Sequence, residues 1–91
     1  MPFSQESAVA RAKSDLAARL NISEKEIVES VRERDFPDMV LGAPIAGEMA
    51  AQMISSGWQI DLDASGKRYD YRADKYQLRL HNFEGVNYVL D

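Results

Sequence analysis

His81 is the single histidine of the chain, and fifteen carboxylates accompany it, so any proton transfer near neutral pH would fall to these groups. A nucleophile-and-base pair needs a serine or thiol beside the imidazole, and no such spacing accompanies His81. Strand parity with Gln77 and Arg79 puts His81 on a wet face, where it reads as a surface histidine. Asp35 and Asp38 straddle Phe36-Pro37 as a carboxylate pair would, but acid–base work on a glycoside needs a cleft about 5–9 Å across between them. The simpler expectation is an Asx turn in which Asp38 caps the backbone leading to Leu41. Asp61, Asp63 and Ser65 before Gly66 echo a calcium loop, yet the closing carboxylate and the flanking helical pattern are missing. Catalytic, metal and cofactor residues are therefore all expected to be absent.

Composition narrows the classes further. At 91 residues the chain suffices for one modest core and one domain, residues 1–91. Without cysteine there is no disulfide framework, and a lone histidine makes a structural zinc improbable. A net charge of −4 repels a phosphate backbone and argues against nucleic acid as a partner. No apolar run approaches the ~20 residues that cross a bilayer, and no basic stretch followed by an apolar one opens the chain, so no membrane role and a cytoplasmic location are expected. Charge is unevenly spread: Lys67, Arg68, Arg72, Lys75 and Arg79 face only Asp70 and Asp74 within residues 67–81. Interleaved with Tyr69, Tyr71 and Tyr76, these cations could suggest a platform for single strands. On alternating strands, however, tyrosines and arginines point to opposite faces, the tyrosines into a core and the arginines outside.

The elements that would position these groups follow from periodicity. Val9, Ala12, Leu16 and Leu20 recur on one helical stripe after Ser4, predicting an amphipathic helix over 4–20 that ends at Asn21. Ser23 and Glu26 have capping-box spacing for one short turn. Ile27, Val28 and Val31 among charges of alternating sign predict a strand over 26–34, closed by Phe36-Pro37. A long connection, 35–57, follows, with turns at Leu41-Gly42-Ala43-Pro44 and Ala46-Gly47; residues 47–56 fit either a short helix or an extended run, with extension slightly favoured. Trp58, Ile60 and Leu62, then Tyr69, Tyr71 and Ala73, then Tyr76, Leu78 and Leu80 alternate with polar residues around the Ser65-Gly66 turn, predicting antiparallel strands within 58–81. The tail 82–91 could add a short strand. The fold class is α+β: one helix packed on a three- to four-stranded antiparallel sheet, in the order α-β-loop-β-β-β.

Met39, Met49 and Met53 with Leu41 and Ile54 are either core filler beneath the connection or an exposed, adaptable patch. With Arg68, Arg72 and Arg79 on the adjoining strand face, Met39, Leu41, Met49 and Met53 make up the candidate partner surface. A protein-binding or accessory module is the leading expectation, with an acidic or apolar protein partner and self-association both allowed. A small-ligand or inhibitor-like domain, lined by Trp58, Tyr69 and the methionines, is the alternative.

The segments AVARAKSDLAARLNIS and KEIVESV, then DFPD, LGAP, GEMAAQMIS, GW and YDYRAD, resemble in their order a small family of bacterial, often cyanobacterial, domains without an established activity. The resemblance spans about residues 8–74. It implies no catalytic residue. Some exported members of the family have cysteines around the positions of Val40, Ala43 and Ala50; their absence here makes the chain similar to intracellular members.

Overall fold

A computed structural model describes residues 2–49 and 51–90; the Ala50 position lies outside them. One helix, α1 (Gln5–Leu20), is followed by a single 3-10 turn at Glu24–Glu26 and by strands β1 (Val28–Phe36), β2 (Ser55–Ala64), β3 (Lys67–Ala73), β4 (Leu78–Phe83) and β5 (Val86–Val89). The strands form one five-stranded antiparallel meander in the order β1-β2-β3-β4-β5. The α+β class and the helix-on-sheet order are as expected. The sheet exceeds the predicted count because the tail supplies β5, whose pairing with β4 is interrupted by a bulge between Leu80 and Phe83.

Local chemistry sets the ends of these elements. Ser4 caps α1 by accepting from the Ser7 N–H, and Asn21 closes it at φ 55°, a left-handed position that asparagine tolerates well. Ser23 and Glu26 cap the 3-10 turn reciprocally. Ser65 and Gly66, at φ 52° and 78°, join β2 to β3 in the tight primed turn that matches strand twist. The β2–β3 pairing brings Gly57 close to β3: a Cβ at Gly57 would lie 2.0 Å from the Ala73 carbonyl oxygen, which explains the glycine before Trp58.

Packing gives the sheet two unlike faces. Ala8, Ala12 and Leu16 of α1 meet Ile60, Leu62, Tyr71, Leu78 and Leu80 in the main apolar core, with Trp58 and Tyr69 against its edge. Each large aliphatic group so buried contributes about 1.5–3 kcal/mol. The Tyr71 hydroxyl donates to Asp15 Oδ2 at 2.7 Å, and the Arg19 Nε donates to the same oxygen at 2.7 Å. Burial, then the bond to Asp15, pushes the phenol far above its usual range, so Tyr71 stays neutral.

The opposite face is not the wet one that alternation implies. The connection between β1 and β2 folds back over it, burying Val40, Leu41 and Ala43 together with Phe36. Arg72 and Arg79, expected outside, lie beneath this roof with side chains 12% and 6% exposed. Leu41, which fits either core filler or the candidate partner surface by sequence, is fully buried. Alternation alone cannot show this, because it records that a face is polar and not what lies above it. Among the described residues, Glu48, Met49 and residues 51–54 adopt neither helix nor strand, and Ser55 and Ser56 already belong to β2. No helix among the described residues is long and apolar enough to cross a membrane.

Candidate functional site

Asp38 starts the roof. Its Oδ1 accepts from the N–H groups of Val40 at 3.1 Å and Gly42 at 2.9 Å, the expected Asx-type turn. This turn throws Leu41 and Gly42 into left-handed backbone, φ 56° and 67°, an uncommon conformation for a leucine. The carbonyls that follow are aimed at the sheet. Gln77 Nε2 donates to the Met39 carbonyl at 2.7 Å, Arg72 Nη1 to Leu41 at 3.0 Å, Arg79 Nη1 to Ala43 at 3.1 Å and Asn87 Nδ2 to Pro44 at 2.8 Å. Glu48 closes the strap with a two-pronged pair to Arg79, 2.6 and 2.7 Å. Hydrogen bonds from Arg79 first, then the Ile45 N–H and the positive charge of Arg79, outweigh desolvation and hold the Glu48 carboxyl at about 2.

Beside the strap lies a second polar group. Asp70 stands across from both Asp61 on β2 and His81 on β4. Like charges placed opposite on neighbouring strands repel, and the side chain of Gln59 relieves this by donating to Asp61 at 3.0 Å and to Asp70 at 2.6 Å. Arg72 grips Asp70 through Nε and Nη2 at 3.1 and 3.0 Å, and His81 Nδ1 sits 3.2 Å from Asp70 Oδ2. Burial raises the Asp70 pKa, but the hydrogen bonds from Arg72 and Gln59 and the charges of Arg72 and His81 carry it below its ordinary value. His81 is thus half-buried and set against a carboxylate, more engaged than a free surface histidine. The two residues border a concavity of about 240 Å³ whose lining carries no serine or cysteine. Asp70 can orient the imidazole, and its own charge is engaged by Arg72.

Four of the nine large exposed apolar side chains among the described residues gather elsewhere. Met39, Met53, Ile54 and Tyr76 are 39, 64, 74 and 80% exposed and edge one concavity of about 340 Å³, with Ser55, Asp74 and Lys75 between them. Its floor is fixed by Asp74, whose carboxylate accepts from the Tyr76 and Gln77 N–H groups and from the Ser55 hydroxyl. Met39 is tied to the far side of the connection by donating to the Ala51 carbonyl at 3.1 Å. Of the candidate surface residues, the structure gathers Met39 and Met53 here. Met49 is exposed away from the ledge, Arg68 is outside and paired with Asp63, and Leu41, Arg72 and Arg79 are interior. Asp35 binds the Ser56 hydroxyl at 2.8 Å and is not paired with Asp38. Trp58 and Tyr69 pack on the helix side, so they do not join the methionines around one pocket.

Sequence reasoning missed Tyr76 and Lys75. Alternation placed Tyr76 in the core strand, but the Asp74 side chain caps the backbone at 76 and 77 and holds Tyr76 in a turn. Asp-Lys-Tyr-Gln as an Asx turn was the available signal. His81 and Asp70 could have been joined by writing β3 against β4 in register.

A helix on one face of a five-stranded meander, with a hydrogen-bonded connection over the other, is the class of architecture this fold defines. Residues 9–81 match the family described as Domain of unknown function (DUF8738), and the chain belongs to that family. No curated protein and no solved structure matches it.

Proposed function

We propose that the chain is a non-enzymatic protein-binding domain, and that the ledge of Met39, Met53, Ile54 and Tyr76 is its contact surface. The observation that carries this reading is the clustering of these exposed apolar side chains around one concavity held by the Asp74 turn. Methionine and tyrosine suit such a surface, the one adaptable and the other rigid with a polar tip. Lys75 projects among them and no ion pair engages it among the described residues, so the occupant is a protein segment with apolar side chains and a carboxylate for Lys75. A bacterial, cytoplasmic setting fits the cysteine-free composition and the resemblance of the motifs to intracellular members.

The test is site-specific photo-crosslinking in the native cell, with the probe at Tyr76 or, as a control, at Arg68. One protein trapped at Tyr76 and not at Arg68, lost on Met53→Asp with Ile54→Asp and bound again by the purified wild-type chain, supports the reading. Trapping of a second copy of this chain, or equal trapping at both probes, overturns it. Because both substituted side chains are exposed, the double variant is expected to stay within about 0.5 kcal/mol of wild-type stability in urea.

A further inference from the structure

The outer edge of β1 carries a second, independent arrangement. It is the longer free edge of the sheet at 9 residues, whereas β5, at the other edge, has 4 and adjoins the bulge. Free edges are templates for an added strand, and scattered charge is the usual protection against it. Here the charges are sorted by face. Glu29, Val31 and Glu33 pair with Leu62, Ile60 and Trp58 and so share the helix side, joined by Asp35 opposite Ser56. Arg32 and Arg34, opposite Gln59 and Gly57, share the roof side.

This sorting decides what can pair there. A two-fold antiparallel dimer must set some residue opposite its own copy. Centring on Arg32 opposes Arg32 to itself and Glu29 to Asp35; centring on Glu33 opposes Glu33 to itself and Arg32 to Arg34; centring on Val31 opposes Glu29 to Glu33. Each register that pairs seven or more residues of β1 aligns like charges; a centre on Ser30 aligns none but pairs only the five residues 28–32, so a second copy is disfavoured. A strand with the inverse code is favoured. One depression on the helix side, about 280 Å³, strengthens the case: it has Val9, Ala10 and Val31 as floor and Glu6, Glu24, Glu29 and Lys13 at its rim, Lys13 lying 3.2 Å from Glu29. An apolar floor under three carboxylates and one lysine accepts the stem and head of a lysine or arginine. A second, about 380 Å³, sets Glu33 and Asp35 beside Trp58 but balances them with Arg34 and Lys75.

We propose that β1 adds an extended segment of another protein that places basic, apolar and basic side chains on the helix side and acidic ones on the roof side. Backbone pairing supplies the adhesion, and the face-sorted charge supplies selection.

Two capped peptides of identical composition test this against the whole chain. TKEVEKT puts lysine, valine and lysine on one face and glutamates on the other; TKKVEET puts one lysine and one glutamate on each face, whichever way up it pairs. The first is a palindrome, so its strand direction does not matter. With amide shifts read at millimolar peptide, the first is expected to perturb β1 and to bind about tenfold more tightly than the second, equivalent to ~1.4 kcal/mol. Arg32→Glu with Glu33→Lys should narrow or reverse that preference, with unchanged β3 and β4 amides verifying the fold. Equal binding of the two peptides, shifts centred away from β1, or no shift with either would overturn the proposal and leave the charges as edge protection alone.

Discussion

Arg79 shows how much one side chain can decide. It reaches the Ala43 carbonyl and both oxygens of Glu48 from beneath the roof. Arg79→Met should lower unfolding stability by about 2 kcal/mol, below the range for a fully buried pair because the Glu48 side chain is 24% exposed. The same pair sets an acid response. The Glu48 carboxyl drops from an ordinary 4.5 to about 2 on folding, so its contribution is full above the former value and is lost as pH falls through the latter. Urea titrations at about pH 6 and about pH 3 should therefore show a larger acid loss for wild type than for Arg79→Met. At Gly57 the issue is space: Gly57→Ala would press a methyl into the Ala73 carbonyl and should cost about 3 kcal/mol or more, read as a lower urea midpoint. Asn21, Ser23 and Asp38 were legible in the sequence because each acts on backbone within a few residues. Arg79 was not, since Ala43 and Glu48 are distant along the chain and only the fold brings them near.

Among the elements, the connection departs most from its reading. Helix α1 and the strands are written in periodic apolar positions, which is why their order and approximate spans could be read directly. The connection instead is fixed by carbonyls of Met39, Leu41, Ala43 and Pro44 accepting from side chains of the sheet. Such bonds leave no period behind. They divide one apparently uniform run, with Leu41 turned inward while Met49, Met53 and Ile54 stay outside. The contrast also orders the stabilities of the elements. Few large apolar groups lie under the roof, so amides of 38–48 should exchange faster than those of α1 and β3, as hydrogen exchange would measure.

At the scale of the whole molecule, the sheet is sealed by hydrocarbon on one side and by ions and amides on the other. These two kinds of cover answer a kosmotropic salt with opposite signs. Sulfate strengthens apolar burial by being excluded from protein surface, while its ionic strength screens a partly exposed ion pair. Added sodium sulfate should accordingly slow exchange in α1 and quicken it over 38–48. A change of the same sign in both would mean the layers melt as one. The domain would then be a lamination whose two bonds can be loosened separately, each by the solvent that grips the other.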